Sequence, residues 1–268
     1  MNVSSWLKKT RNEIDSLDAE LLLLAILHEN ERSFLVSHDD MELFQNDLDV
    51  LDKLVQLRKR GMPLAYILGE KEFYGRKFKV DRDVLIPRPE SEDIIEIVKK
   101  LVQKDYKDKE VRILDVGTGS GCLGITLSLE IPSAKVVASD VSQAALKIAS
   151  ENAIDLGARV EFVESDLLDK FSGEKFDIIV ANLPYLDENW DWLGWELEWE
   201  PENALFAEDG GLAEIKKLVF TVVEEKNARY LIIEADKSQH DEIIKFAKKA
   251  GLEHIETSGY QLVFRVSA

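Results

Sequence analysis

An apolar strand, a glycine-rich loop and the start of a helix follow one another in Val111-Arg-Ile-Leu-Asp115-Val-Gly117-Thr-Gly119-Ser-Gly121-Cys-Leu-Gly124. Glycines let the backbone turn sharply and approach a ligand closely, as in the nucleotide-binding loops of doubly wound α/β folds. The segment from Gly119 to Gly124 also satisfies the dinucleotide pattern G-x-G-x-x-G, so a nicotinamide cofactor is one alternative. The pattern predicts an α/β sheet with a cofactor loop after its first strand.

Strands and helices alternate downstream of Val111 in the order expected of such a sheet. The last two strands are joined only by Ser258-Gly259, which permits a hairpin and hence an antiparallel final strand, a feature of Rossmann-like methyltransferases. We predict strands at 111–116, 134–139, 159–163, 176–181, 228–234, 252–257 and 260–266, and helices near 90–103, 121–130, 142–156, 209–224 and 238–250.

The first 60 residues have a helical pattern. Asp15 or Ser16 can cap a leucine-rich helix that runs to His28, and a second helix, from about 46 to 60, precedes Gly61 and Pro63. Residues 65–80 read as strand pieces at 66–68, 72–74 and 77–80 around turn residues. We therefore predict a small helical-bundle domain at 1–62, a β-hairpin linker at 63–82 and a seven-stranded domain at 83–268.

The composition of the 268 residues, 45% hydrophobic and 32% charged, is that of a globular protein. No apolar run reaches the ~18 residues that cross a bilayer. The first residues lack the basic-then-apolar order of a secretory signal, so we expect a cytoplasmic protein. The single Cys122 cannot form an internal disulfide, and the four His have no ligand-like spacing, so we expect no metal site.

The negative charge lies in the second part of the chain. Residues 1–80 carry 12 Lys and Arg against 14 Asp and Glu, whereas residues 81–268 carry 22 against 38, a net charge of -16 out of -18. An anionic surface repels phosphate backbones, so a basic protein partner is favoured over nucleic acid. Solubility is an equally good reason for most of these charges.

An amide, a rigid bend and an aromatic ring follow the apolar run 176–181, in Asn182-Leu183-Pro184-Tyr185. The side-chain oxygen of Asn182 and a backbone carbonyl can accept the two N–H bonds of a planar NH2 group, which Tyr185 can cover. Such a nitrogen is a weak nucleophile, so positioning must supply much of the catalysis. An ordinary turn after a strand explains the four residues about equally well.

Three acidic or apolar residues complete the expected cofactor site. Asp140 ends the second strand, where a carboxylate can accept both ribose hydroxyls, although it can also cap the next helix. Asp166 and Leu167 follow the third strand and could hold and cover an adenine, or Asp166 could be a cap. Arg88, between Pro87 and Pro89, is held extended just before a helix.

The chain resembles the HemK/PrmC family, the N5-glutamine methyltransferases of peptide-chain release factors. Four segments carry the resemblance in this order: Gly61-Met-Pro-Leu-Ala-Tyr-Ile-Leu-Gly69, Leu85-Ile-Pro-Arg-Pro-Glu-Ser-Glu92, the glycine loop and 182–185. The segments Glu200-Pro-Glu-Asn-Ala-Leu205 and Asp209-Gly-Gly-Leu212 also match. The Pro-Arg-Pro-Glu block is the most specific, because generic amino-methyltransferases lack it.

The resemblance implies an N-terminal domain that helps to recognise a release factor, and a domain that binds S-adenosylmethionine and releases S-adenosylhomocysteine. The methyl acceptor would be the glutamine of a Gly-Gly-Gln motif, and we expect the enzyme to be a monomer. The resemblance implies that the methionine end of the cofactor lies against Gly117, Thr118, Gly119, Ser120 and Gly121. It also implies that Asp140 holds the ribose and that Asp166 and Leu167 bind the adenine. The substrate glutamine would be bound by Asn182, Leu183, Pro184, Tyr185 and Arg88, and Asn182 would also lie beside the cofactor.

Two positions depart from the family. Leu183 stands where Pro is usual, which keeps the backbone carbonyl but loosens the loop, and Ser91 replaces Thr. Asn-Leu-Pro-Tyr also occurs in ribosomal-RNA adenine dimethyltransferases, so adenine N6 is an alternative acceptor. A glutamine of a ribosomal protein is another alternative acceptor. A different alternative is that the chain is a protein-binding module without catalytic activity.

Four of the five tryptophans lie among acids in the segment from Trp190 to Glu202. Positions 192, 195 and 199 have helical spacing, which favours a buried aromatic face with carboxylates outside. The alternative is an acidic lip for a basic partner.

Overall fold

The computed structural model describes residues 1–107, 109–191 and 193–266. The chain forms two compact units. The first comprises Met1–Glu70 with Gly194–Trp199, and the second comprises Lys71–Leu193 with Glu200–Ala268.

The first unit is built from helices around one apolar core. Asp15 caps α2 by accepting the backbone N–H of Leu17 at 2.7 Å, as the sequence allowed. Leu22 and Leu23 of α2 are fully buried and Leu24 nearly so, because the leucines of this helix face neighbours on several sides. The helices are α1 (Val3–Thr10), α2 (Ser16–Leu27), α3 (Arg32–Ser37), α4 (Gln45–Lys59) and α5 (Leu64–Leu68).

The strand expected at 66–68 is wrong, because these residues lie in α5. Pro63 precedes the helix with a preset φ, and Gly69 ends it in the left-handed region at φ 74°. A short apolar run does not distinguish a helix from a strand, so these terminal residues settle the outcome. The expected hairpin follows, with β1 at Glu70–Phe73 and β2 at Arg76–Lys79.

A seven-stranded sheet forms the centre of the second unit, in the order β5-β4-β3-β6-β7-β9-β8. Strands β3 to β7 are parallel, and β9 runs antiparallel to both β7 and β8, which confirms the predicted fold class and the final hairpin. The strands are β3 (Val111–Val116), β4 (Ala134–Asp140), β5 (Val160–Glu164), β6 (Ile178–Ala181), β7 (Tyr230–Glu234), β8 (Leu252–Ser258) and β9 (Gln261–Val266).

Helices cover both faces of this sheet, so the central strands are buried on both sides. Successive residues of β3 show this, since Ile113 packs in one core cluster and Leu114 in the other. The helices are α6 (Glu92–Asp105), α7 (Cys122–Glu130), α8 (Gln143–Leu156), α9 (Glu202–Leu205), α10 (Glu208–Gly211), α11 (Ala213–Glu225) and α12 (His240–Ala250).

The helix expected at 209–224 begins later, at Ala213. Within the four-residue α10, Asp209, Gly210 and Gly211 have positive φ, of 58°, 66° and 83°, so this segment is a left-handed turn and the regular helix starts only after it. Among the described residues, no helix has the length and apolar character needed to span a bilayer.

The buried aromatic face expected from the tryptophan spacing is wrong for Trp195, which is 57% exposed. Residues Trp195–Trp199 form a short 3₁₀ helix with no buried member, and Trp192 lies outside the described residues. The ring of Trp195 lies against the backbone of Gly61, where an added Cβ would fall 1.3 Å from a ring carbon. Glu196 accepts a hydrogen bond from Arg58 at 2.7 Å, so this acid is already paired within the first unit.

Candidate active site

Three strand ends meet at one edge of the sheet because β4, β3 and β6 are adjacent and parallel. A cavity of about 560 Å³ opens there, a size typical of small-molecule sites. Gly121 and Tyr185 are not in its lining. Eleven of the predicted site residues line it: Arg88, Gly117, Thr118, Gly119, Ser120, Asp140, Asp166, Leu167, Asn182, Leu183 and Pro184.

The glycine loop is shaped by the buried carboxylate of Asp115. Its Oδ2 accepts hydrogen bonds from Thr118 Oγ1 at 2.6 Å and from the backbone N–H of Gly124 at 2.9 Å. Burial raises the pKa of Asp115 to about 6. Gly121 has φ 83°, and a Cβ there would lie 3.3 Å from the backbone of Ala149. The loop therefore approaches α8 more closely than a residue with a side chain at position 121 would allow.

Asn152 holds the other side of the loop, a role that no sequence pattern predicted. Its Oδ1 accepts the N–H of Lys79 at 2.7 Å, and its Nδ2 donates to the carbonyls of Lys79 at 3.0 Å and Ser120 at 2.9 Å. This buried amide joins the hairpin strand β2 to the glycine loop. Because the bonds connect residues 73 and 32 positions apart, only the folded chain brings them together.

Asp140 faces the loop at the end of β4. Its Oδ2 accepts the N–H of Gly119 and its Oδ1 accepts the N–H of Ser142, both at 2.9 Å. Ser142 is the residue that caps α8, since its Oγ accepts the N–H of Ala145. Burial raises the pKa of Asp140, and the backbone hydrogen bonds oppose this. Each carboxylate oxygen keeps lone-pair capacity for a ligand hydroxyl.

Replacing Asp140 with Asn should raise the dissociation constant for S-adenosylmethionine by about 10- to 100-fold, the cost of losing hydrogen bonds to a charged acceptor. In the Asn variant, the side-chain NH2 group would face one of the two backbone N–H groups that the Asp140 carboxylate accepts, so two donors would oppose each other. Titration calorimetry measures the change. Ser142→Ala is the control, because it weakens α8 without altering the carboxylate; equal losses in both variants would contradict a ligand-binding role.

Asp166 and Leu167 lie on the third side of the cavity. Asp166 is exposed, while Leu167 is half-buried with φ 43°, an unusual value for a residue with a side chain. The hydroxyl of Ser165 bonds to the carbonyl of Leu167 at 3.1 Å and helps to fix this turn. The side chain of Leu167 also packs against the sheet core, so the turn places an apolar surface beside a carboxylate.

Asn182 is held by its amide nitrogen. Nδ2 donates to Ser91 Oγ at 3.0 Å and to Glu234 Oε1 at 2.9 Å, which uses both of its hydrogens. The oxygen Oδ1 is therefore the part of the amide that remains to accept a hydrogen bond from a ligand. The acceptor role that the sequence predicts for Asn182 would use this oxygen.

The next residues of the loop are anchored differently. Leu183 is 5% exposed and its side chain lies 3.0 Å from a Cβ built on Gly117, so it packs against the glycine loop. The carbonyl of Tyr185 accepts Gln239 Nε2 at 2.8 Å. Burial raises the pKa of the Tyr185 phenol. Tyr185 thus fixes the loop in this structure, and its proposed role as a cover for the acceptor stays a prediction.

Arg88 is tied to Glu200, in the segment that follows Asn182–Tyr185. Its guanidinium forms an ion pair with Glu200 Oε1, and Oε2 of the same carboxylate accepts the N–H of Ile86 at 3.0 Å. The Glu200 side chain is buried, while that of Arg88 is about one third exposed at the cavity. The pair thereby fixes the proline-flanked block against residue 200.

Glu234, at the end of β7, is the main residue that the sequence reasoning missed. Its Oε1 accepts from Asn182, and its Oε2 accepts Gln261 Nε2 at 3.2 Å. Gln261 in turn donates to the carbonyl of Glu90 at 2.8 Å. Burial raises the pKa of Glu234 to about 7. A lone acid that ends the apolar strand Tyr230-Leu-Ile-Ile-Glu234 is the signal that could have identified it.

The shifted pKa of Glu234 predicts a pH-dependent stability. The unfolded chain releases this proton near the ordinary value of 4.5, whereas the folded protein keeps it until about 7. Wild type therefore loses stability relative to Glu234→Gln as the pH rises through this window, by at most about 3 kcal/mol. Urea unfolding at several pH values measures the difference, and a difference that stays constant with pH would contradict the burial of an ionisable Glu234.

The chain is similar to known proteins over most of its length. The family model described as "Methyltransferase small domain" matches residues 92–207, and "PrmC N-terminal domain" matches residues 2–69. The chain is 43% identical over 211 residues to the release factor glutamine methyltransferase of Koribacter versatilis, covering 78% of this chain and 74% of the relative. It is 43% identical over 188 residues to that of Bacillus subtilis, covering 69% of this chain and 64% of the relative.

A solved structure supports the fold. The hMettl16 catalytic domain in complex with MAT2A 3′UTR hairpin 6 superimposes with a TM-score of 0.56 at 16% identity, covering 83% of this chain and 82% of that one. The identity is low, so this likeness concerns the fold alone. The two bacterial relatives confirm the HemK/PrmC resemblance, and the chain belongs to the family of release factor glutamine methyltransferases.

Proposed function

We propose that this chain methylates the side-chain amide nitrogen, N5, of the glutamine in the Gly-Gly-Gln motif of a peptide-chain release factor. The observation that carries the proposal is the fixed amide of Asn182, whose nitrogen is held by Ser91 and Glu234 so that its oxygen is left for an acceptor N–H. The family names supply the class of substrate.

S-adenosylmethionine is the cofactor, and when bound it supplies a methyl group on a positively charged sulfur. The cavity suits it, since backbone groups of the glycine loop, the Asp140 carboxylate and the apolar turn at Leu167 lie around one space. The residues that would hold the methionine end are 117–120, and Gly121, which does not line the cavity, would allow the close turn of the loop. Asp140 would accept the ribose hydroxyls, and Asp166 with Leu167 would bind the adenine.

At the acceptor end, Asn182 Oδ1 and the carbonyl of Leu183 would accept the two N–H bonds of the glutamine amide. Both acceptors restrict rotation of the planar group and direct its nitrogen at the methyl carbon, which is the effect that a weak nucleophile needs. The nitrogen gains the methyl group and loses one proton, which we expect water to receive. Arg88, held at the cavity by Glu200, would contact the substrate beside the glutamine.

The proposed partner is a release factor, and the acidic second part of the chain suits a basic protein surface better than a phosphate backbone. We also propose that the enzyme acts as a monomer in the cytoplasm, where release factors act. Gel filtration with light scattering tests the oligomeric state.

A labelling experiment tests the substrate class. The protein is incubated with methyl-labelled S-adenosylmethionine and, in separate reactions, a release factor, ribosomal proteins or RNA. We expect label in the release factor, and none in a release factor whose Gly-Gly-Gln glutamine is replaced by Glu. Label in RNA would support adenine as the acceptor, and label only in a ribosomal protein would replace the release factor as the substrate.

A further inference from the structure

Asn182 alone does not determine where its amide points, because the side chain can rotate about its last bond. Two neighbours remove this freedom. Ser91, in the short 3₁₀ helix Pro89–Ser91, accepts one N–H, and Glu234, at the end of β7, accepts the other. A flipped amide would turn Oδ1 toward the Glu234 carboxylate, where two acceptors repel each other.

We propose that Glu234 is a positioning residue for methyl transfer, which directs Asn182 Oδ1 at the acceptor amide through the hydrogen bond to Asn182 Nδ2. The inference rests on the function proposed above. Glu234 is 1% exposed and does not line the cavity, so it acts through Asn182 and not on a ligand.

The neighbours of Glu234 hold its carboxylate in place. Gln261 Nε2 donates to Oε2, and its Oε1 accepts the N–H of Tyr260 at 3.1 Å, so the Gln261 amide cannot turn without losing both bonds. Ser91 also hydrogen bonds to Glu234. Three donors thus converge on one buried carboxylate; their hydrogen bonds favour its charged acceptor form, and the larger effect of burial opposes them.

The charge state of Glu234 links this role to pH. Burial raises its pKa to about 7, with Glu90 as a further charge that raises it. The other titratable groups beside it are the Tyr185 phenol and the Cys122 thiol; burial raises the pKa of both, that of Cys122 to about 12, so both stay neutral near pH 7. Protonated Glu234 is a weaker hydrogen-bond acceptor, so at low pH it restricts the rotation of the Asn182 amide less.

The test compares Glu234→Gln with Tyr230→Phe at saturating S-adenosylmethionine. Tyr230 begins the same strand, is equally buried and loses a hydrogen bond to Asp105 as Phe, so it controls for damage to β7. In Glu234→Gln one amide nitrogen must face either Asn182 Nδ2 or Gln261 Nε2, donor against donor. We expect kcat for the release factor to fall about 10- to 100-fold, as for a small misplacement of a reacting group.

Three readouts separate positioning from structure. The dissociation constant for S-adenosylmethionine should stay at the wild-type value in Glu234→Gln, and kcat should fall while the KM for the release factor changes little. Wild-type kcat should rise with pH through about 7 and then level, and this rise should be absent in Glu234→Gln. An unchanged kcat, an unchanged pH profile, or an equal loss in Tyr230→Phe would each overturn the proposal.

A measurement without turnover distinguishes this inference from the proposed function. In crystal structures of the two variants, Asn182 should keep its orientation in Tyr230→Phe and be rotated or split between two orientations in Glu234→Gln. If wild type methylates no release factor but Asn182 is reoriented, the substrate is wrong and the positioning stands. If Asn182 is unchanged in Glu234→Gln, the positioning role is refuted.

Discussion

Replacing Asn182 with Ala is expected to lower kcat for release factor methylation by about 10²- to 10³-fold, the usual cost of removing one preorganised polar group at a reacting centre. Ala removes the Oδ1 acceptor and leaves the Glu234 carboxylate without one of its donors. The affinity for S-adenosylmethionine should change far less, because most of the proposed cofactor contacts lie elsewhere in the cavity. Single-turnover kinetics and titration calorimetry measure the two effects.

The control is Asn189→Ala, which removes the same type of side chain a few residues further along the chain. Asn189 is exposed, and its side-chain Nδ2 donates to Asp187 Oδ1 at 2.7 Å. We expect wild-type kinetics for it. Near-normal turnover of Asn182→Ala, or an equal loss of kcat in both variants, would contradict the role of Asn182 as the residue that hydrogen bonds to the substrate amide.

Gly211→Ala is expected to be the most damaging change outside the cavity. An added Cβ would lie 2.0 Å from the carbonyl oxygen of Tyr185 and 2.7 Å from Gln239 Nε2, at a φ of 83°. The left-handed conformation alone costs ~1–2 kcal/mol for a residue with a side chain. The overlap adds about 1–3 kcal/mol and pushes Tyr185 away, at the end of the segment proposed to bind the acceptor, so both stability and kcat should fall.

Gly210 supplies a matched control for this prediction. It has a φ of 66°, but a Cβ there would meet its nearest neighbour, Asp187 Oδ2, only at 3.9 Å. Gly210→Ala should therefore cost only the ~1–2 kcal/mol of the conformation and keep its activity. Urea unfolding and kcat of the two variants give the comparison. Equal losses in both would show that the contact with Tyr185 does not fix the loop.

Local patterns were sufficient to predict the sheet of the second unit. Most strands there are apolar runs bounded by turn residues, and Ser258-Gly259 permitted a tight connection, so the strand positions and the antiparallel end followed, whereas the strand order came from the structure. The strand expected at 66–68 failed because five apolar residues fit a helix turn equally well, and the fixed conformations of Pro63 and Gly69 favoured the helix. The Trp195 prediction failed because spacing indicates which residues share a face, not which face is covered.

The residues that shape the site were harder to predict, because their partners are remote in sequence. Glu234 is 52 residues from Asn182, and Glu200 is 112 residues from Arg88. No periodicity connects such pairs, and only the sheet order places the end of β7 beside the end of β6. The loop residues that line the cavity could be predicted because their side chains are of the types that bind a cofactor or an amide. The residues that support them, such as Glu234 and Glu200, have no local sequence pattern that indicates their role.

In the proposed reaction, the amide oxygen of Asn182 positions one glutamine nitrogen for methylation. Tandem mass spectrometry of a release factor incubated with the protein and S-adenosylmethionine tests it most directly. We predict the mass of one methyl group on the side chain of the Gly-Gly-Gln glutamine, and its absence when Asn182→Ala is used for the same time. A methyl group on another residue would show that this glutamine is not the acceptor, and the same yield from Asn182→Ala would show that Asn182 does not position it.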